Sequence, residues 1–235
     1  MRAPEEYRVS LRNIRIDREM AGPILRNSLP AGLQNSIIST ANVVIQSHIN
    51  SFGKLAMAGC GAYARVENVV FLPINCFVMA ITTFISQNLG AGEHERAKKG
   101  ARFGVIICVI LSELFGLFFH AFAPAIIGAF DSNPEVIEYG VRYARTVPRF
   151  FFLLAYAHSL AGILRGVGKP MIAMGGMLSI WCVFRIIFVT VGINLSHDIR
   201  VIFWAYPLTW ILTSAVFTFF YRRMDWEQLV KTKMI

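Results

Sequence analysis

KLAMAGCGAYARVENVVFLPINCFVMAITTFISQNLGAGEHERAKKGAR, residues Lys54 to Arg102, begins as a mostly apolar run, holds Arg65 and Glu67 inside it, and leaves through a Gly-rich turn into Arg96, Lys98, Lys99 and Arg102. About 20 apolar residues suffice for a helix to cross the hydrocarbon of a bilayer. The stretch from about Leu55 to Gln87 exceeds that, so it is expected to tilt, to kink near Pro73 or to project beyond the membrane. Charges inside a membrane helix persist mainly where they face a bundle interior or a water-filled cavity. Arg65 and Glu67 therefore point to a helix with a functional interior, against the alternative of a structural ion pair. Two residues apart, they point to nearly opposite sides of a helix and are not natural partners.

The rest of the chain has the same character. It is 55% hydrophobic and 16% charged over 235 residues, with mean hydropathy +0.54, which is too apolar for an ordinary soluble domain. The net charge of +9 sits in short clusters between apolar runs, where membrane topology explains it better than nucleic-acid binding. Cys60, Cys76, Cys108 and Cys182 lie singly in apolar segments with no CxxC or Cys/His spacing, so no metal site is indicated. No cofactor is expected. Met1 to Arg18 is charged and lacks an apolar core, so no cleavable signal peptide is expected there.

Six spans are predicted: Ala31 to Ser51, about Leu55 to Gln87, Phe103 to Phe130, Phe150 to Leu164, Met171 to Val191 and Val201 to Tyr221. Glu93 to Arg102 reads as a basic loop, Ser51 to Lys54 as a very short turn, and Glu135 to Arg149 as an interfacial helix feeding the fourth span. The fold class is thus all-α, a polytopic bundle of six membrane helices. Residues 1–21 read as a polar linker-like segment, 22–226 as the bundle and 227–235 as a tail. Most basic residues fall on the side that holds both termini, among them the Arg96 to Arg102 cluster, Arg165, Lys169, Arg222 and Arg223. That side is expected to be cytoplasmic, in a plasma (inner) membrane, with the Arg142 to Arg149 cluster running against the rule.

Two polar stripes mark candidate chemistry. On the first span Asn35, Ser39, Asn42, Gln46 and Asn50 recur at helical spacing, and on the second Arg65, Asn68, Asn75, Thr82 and Ser86 do the same. Single amides often join helices through hydrogen bonds. Two whole stripes on consecutive helices instead favour the wall of an aqueous cleft, because lipid penalises unsatisfied amides. Asn35, Ser39, Asn42, Gln46, Arg65, Asn68 and Asn75 are the cleft-lining candidates. Glu67 and Glu113 are the candidates for ion coupling, with Glu67 preferred because it lies on a cleft-forming helix. Glu113, Gly116 and His120 share a face of the third span, where the glycine permits close approach of another helix and Glu113 has a second reading as a carboxyl bonded to a neighbour. Arg185 has open readings: snorkelling, a lipid contact or a partner carboxylate. His48 and His158 read as bundle residues, and Trp204, Tyr206 and Trp210 as an interfacial aromatic belt before a ligand-stacking surface. No Walker loop, HExxH or GxSxG is present, so no enzyme is indicated.

The order of several segments resembles the C-terminal half of multidrug and toxic compound extrusion (MATE) transporters. SLPAGLQNSIISTANVVIQSHINSFG resembles the opening of their seventh helix. Ala62-Tyr63-Ala64-Arg65 through Ser86-Gln87-Asn88-Leu89-Gly90-Ala91-Gly92 resembles the eighth with its exit turn. Asn133-Pro134-Glu135-Val136 and Leu164-Arg165-Gly166-Val167-Gly168 resemble the approach to and end of the tenth. The resemblance covers about Gly22 to Trp226. It implies one six-helix lobe of a twelve-helix exporter that exchanges substrate for external H+ or Na+ across a cleft between lobes. The implied partners are an N-terminal six-helix lobe or a second copy, the lipid bilayer, and a small organic substrate that is cationic in one reading. A lobe of a lipid-linked precursor flippase is the alternative transporter, and a membrane-embedded enzyme or scaffold the alternative outside transport. Ser36 to Ser39 contains no acid to match the seventh-helix acid of one branch, and none lies between Tyr139 and His197 to match an acid in the tenth. Sodium coupling of that type is therefore not expected.

Overall fold

The computed structural model describes residues 18–224 and 226, all of them in helices or the short connections between helices. Residues 1–17 of the expected linker and all of the expected tail lie outside the described residues. In order, the helices are α1 (Arg18–Asn50), α2 (Lys54–Gly90), α3 (His94–Ala121), α4 (Ala123–Gly128), α5 (Pro134–Thr146), α6 (Phe151–Gly166), α7 (Pro170–Met177), α8 (Arg185–Ser196) and α9 (Arg200–Arg222). A 3-10 turn at Pro148–Phe150 joins α5 to α6, and a π-helical segment at Leu178–Phe184 joins α7 to α8.

Among the described residues, five units are long and apolar enough to cross a membrane: Lys54–Gly90, His94–Ala121, Pro134–Gly166, Pro170–Ser196 and Arg200–Arg222. The expected sixth, on α1, has the length but not the hydropathy, because its amides and hydroxyls dilute the apolar residues. The edge drawn between residues 21 and 22 falls inside α1, which already begins at Arg18.

The connections follow from local chemistry. Gly53 and Gly92 turn the chain at φ 93° and 78°, a region where a side chain would be strained. Asn133 caps α5 by accepting the Glu135 N–H at 3.0 Å, with Pro134 at the first helical position. Pro124 stands near the start of α4, so the third span breaks at Phe122 instead of running to Phe130.

Two expectations are corrected. Glu93 to Arg102 is not a loop: α3 begins at His94, and its first turns carry the basic residues with Ala97 and Ala101 as the buried face. The segment from Glu135 is not merely interfacial. Its buried face of Val136, Gly140, Tyr143 and Ala144 packs along α2, and α5 with α6 forms a single broken span. Helix α2 runs unbroken through Pro73.

Close helix approach depends on Gly59 of α2, where a Cβ would collide with the Val136 carbonyl of α5, whereas Gly61 faces open space. Gly59→Val is expected to destabilise the bundle by about 1–3 kcal/mol through overpacking. Gly61→Ala is expected to be neutral or to stabilise by up to about 1 kcal/mol through helix propensity. Thermal unfolding of the two variants in detergent checks the pair.

Candidate substrate cavity

Helices α1 and α2 follow each other in sequence, but α1 docks chiefly on the α7–α8 unit. Gln34 Nε2 donates to Met177 Sδ at 2.8 Å, and the His48 ring nitrogen lies 3.1 Å from Thr190 Oγ1. These two contacts tether α1 along its length and leave a gap towards α2. The gap is a cavity of about 490 Å³ whose wall comes from α1, α2, α6, the π segment, α8 and α9.

Five of the seven predicted cleft-lining residues meet there. Asn35, Asn42 and Gln46 line the cavity from α1, and Asn68 and Asn75 from α2. Ser39 and Arg65 do not line it. Ser39 is solvent-exposed on α1, and Arg65 is exposed on α2 one residue off the register that Ala64, Asn68, Phe71 and Asn75 occupy. Thr82 belongs to packing: its hydroxyl donates to the Gly162 carbonyl of α6 at 3.0 Å and approaches the Val78 carbonyl of its own helix at 2.8 Å. Among the described residues, Asn42, Asn68 and Asn75 make no side-chain hydrogen bond within the protein. Lipid would penalise each such amide by several kcal/mol, on the order of 2–7, so this wall is suited to water or a polar ligand.

Glu67 also opens onto the cavity, with its carboxylate accepting from the Tyr63 hydroxyl one turn earlier at 3.4 Å. Behind it Tyr63 stacks on Tyr143 at 4.1 Å between centroids, and Tyr143 on Phe203 at 4.3 Å, which fixes α2, α5 and α9 to one another. Glu113 lies elsewhere. Its Oε2 accepts the backbone N–H of Phe152 at 3.1 Å, satisfying one of the unpaired amides that open α6. Beside it Gly116 abuts the Pro148 carbonyl, and His120 lies against Arg149 at 3.1 Å, so this face of α3 joins α3 to the break between α5 and α6.

The opposite wall contains residues whose role the sequence left open. Arg185 is 2% exposed, with its guanidinium 5.1 Å from the Trp181 ring and 4.7 Å from the Tyr206 ring. A desolvated cation–π contact stabilises by about 2 kcal/mol or more, which offsets part of the several kcal/mol that burying the charge costs. Nη2 reaches Thr209 Oγ1 at 3.4 Å, and Trp181 Nε1 donates to Thr213 Oγ1 at 2.9 Å. The π segment explains the placement, because its wider turn resets the register of Trp181 and Arg185 relative to the α7 face before them.

Tyr206 and Trp210, one turn apart, face the cavity together, while Trp204 points away, half-exposed and packed on Phe150 at 5.7 Å. The aromatic-belt reading therefore fits Trp204 and not the other two. His158 lines the cavity as well, its ring centroid 5.2 Å from that of Trp181 and 6.0 Å from that of Phe71, edge to face in both pairs. Among the described residues, the ion pairs are Lys98 with Glu95, Arg142 with Glu138 and Arg200 with Asp198, all at the surface; neither Glu67 nor Arg185 has one within 4.0 Å.

The MatE family model matches residues 30–191, a segment that contains α1 from Pro30, all of α2 through α7 and much of α8. The chain belongs to the MATE family. The MATE chain is 23% identical over 228 residues to "Probable multidrug resistance protein YoeA" of Bacillus subtilis, which covers 95% of the chain and 48% of that protein. It is 30% identical over 161 residues to "Probable multidrug resistance protein NorM" of Thermotoga maritima, 67% of the chain and 34% of that protein. Its fold matches a MATE transporter of the MOP superfamily solved in an outward-facing conformation, with a TM-score of 0.83 at 20% identity over 95% of the chain and 50% of the other. The MATE chain thus spans about half or less of the length of the relatives it matches.

Proposed function

We propose that the chain is the C-terminal lobe of a cation- or proton-coupled MATE antiporter that exports small organic substrates by alternating access. The observation that carries this reading is the cavity, on whose α1 and α2 faces the amides of Asn35, Asn42, Gln46, Asn68 and Asn75 are exposed while Arg185 and Trp210 opposite them are buried. A second lobe placed against those faces makes a closed cleft from two half-walls, in keeping with substrate sites at the interface of transporter repeats. The half-length match and the transporter names of the relatives support the same reading. Partner and cleft are completed by an N-terminal lobe or by a second copy of the chain. Glu67 is the coupling acid in this proposal, because it alone of the two candidates reaches the cavity; Glu113 is engaged at the start of α6. The experiment is gradient-driven transport: the chain is reconstituted with an N-terminal MATE lobe, and a panel of fluorescent dyes of both charges is followed under an imposed H+ or Na+ gradient. Efflux that follows either gradient is expected, and efflux indifferent to both contradicts antiport.

The same proposal places the complex in the plasma membrane with both termini cytoplasmic, on the basis of the basic clusters at Arg96 to Arg102, Arg165 to Lys169 and Arg222 to Arg223. With Cys60, Cys76, Cys108 and Cys182 replaced, a cysteine at the exposed Glu95 is expected to resist an impermeant thiol reagent added to intact cells. Ready labelling from outside reverses the topology.

A further inference from the structure

Arg185 lacks what a buried guanidinium ordinarily has. Its Nε makes no hydrogen bond, no carboxylate among the described residues stands within 4.0 Å, and its neighbours are ring faces and the hydroxyl of Thr209. Trp210, 1% exposed on the adjoining wall, also has an unpartnered N–H, at Nε1. Both residues line the same cavity, joined through Tyr206, which lies 4.7 Å from the guanidinium and 6.2 Å from the Trp210 ring. Buried donors without partners are rare in folded proteins and each calls for an explanation. Glu67 lines the same cavity and faces the guanidinium from beyond 4.0 Å, so it balances part of the charge across the cavity without supplying the missing acceptor.

We propose that Arg185 and Trp210 form the anion-recognising end of the cavity, accepting the carboxylate of an amphipathic organic acid whose apolar body lies along Ile38, Ile45 and Phe71. This assignment rests on the transporter reading and deepens it by naming the charge class of the substrate. A carboxylate fits because its oxygens accept planar donors and gain charge-assisted bonds about twice as strong as neutral ones. The cavity supplies the apolar remainder in its isoleucines and Phe71, and the surrounding amides of Asn42, Asn68 and Asn75 can bond peripheral polar groups. A cationic ligand seated against the free Nε of Arg185 and Nε1 of Trp210 meets two donors and a like charge at close range, which disfavours it at that end of the cavity.

The test is equilibrium binding to the full chain in phosphatidylcholine nanodiscs, read by tryptophan fluorescence, with three ligands that share one ring: naphthoate, naphthamide and naphthylmethylammonium. Naphthoate is expected to bind the unaltered chain about tenfold or more tightly than either of the others. Arg185→Gln is expected to erase the preference for naphthoate over naphthamide. Equal binding of naphthoate and naphthamide, or tighter binding of naphthylmethylammonium, on the unaltered chain overturns the proposal whether or not the variant folds. Repeating the measurement with phosphatidylglycerol separates a substrate from a lipid headgroup. Loss of naphthoate binding there assigns the anion site to lipid and overturns the substrate assignment. No gradient enters this measurement, so charge-selective binding without any gradient-driven efflux refutes the transport reading alone.

Discussion

Liposomes that carry the MATE chain as a monomer, without a second lobe, are expected to show no gradient-driven efflux above protein-free liposomes. Alternating access requires a site that two walls expose to one side at a time. Here the cavity is bounded by α1 and α2 on an open side, with Leu33, Ile37, Val43, Leu72 and Met79 exposed beside the amides. Such a mixed face suits neither lipid nor bulk water, and it should also drive association of the chain with a counterpart. Adding the N-terminal lobe is expected to restore efflux. Efflux by a chain shown to be monomeric contradicts the half-transporter account.

In the two-lobe complex, Glu67→Gln is expected to reduce ion-coupled efflux to background while folding and membrane insertion remain intact. The amide keeps the size of the side chain and an acceptor for the Tyr63 hydroxyl, but it cannot exchange a proton or balance a cation. Among the described residues Glu67 has no ion pair within 4.0 Å, but it faces the buried Arg185 across the cavity, so the variant is expected to lower stability while the protein still folds. Unchanged efflux with unchanged pH dependence, measured in the same liposomes, removes Glu67 from coupling. Loss of folded protein in the detergent extract indicates a structural carboxylate instead.

Hydropathy and helical spacing made the bundle legible, because a membrane helix must be apolar over a fixed length and must satisfy its own backbone. They located the later spans closely, as with Arg200–Arg222 against the expected Val201 to Tyr221. They placed the start of α3 poorly, since the cluster from Arg96 to Arg102 reads as a loop by charge although its alanines turn into the bundle. The α1 and α2 amides were visible because period and polarity coincide on one face. Arg65 was included by the same rule and stands off the cavity, one residue out of register. The opposite wall was hidden for a physical reason. Trp181 and Arg185 owe their direction to a π segment that no 3.6-residue pattern describes, and Tyr206 and Trp210 carry the same residue types as an interfacial belt. The offset of Trp204 by two positions from Tyr206 was the available signal, because it sets the two on different faces of α9.

The central claim is that the amide faces of α1 and α2 line a water-filled cleft. The direct measurement is the labelling rate of a single cysteine at Asn75, compared with one at Ile110 on the outer face of α3, in a cysteine-free two-lobe complex treated with a charged thiol reagent. Asn75→Cys is predicted to react about tenfold or more faster than Ile110→Cys, the equivalent of about 1.4 kcal/mol in access to the reagent. Equal rates at the two positions, or an inert Asn75→Cys beside a reactive Ile110→Cys, contradict the account.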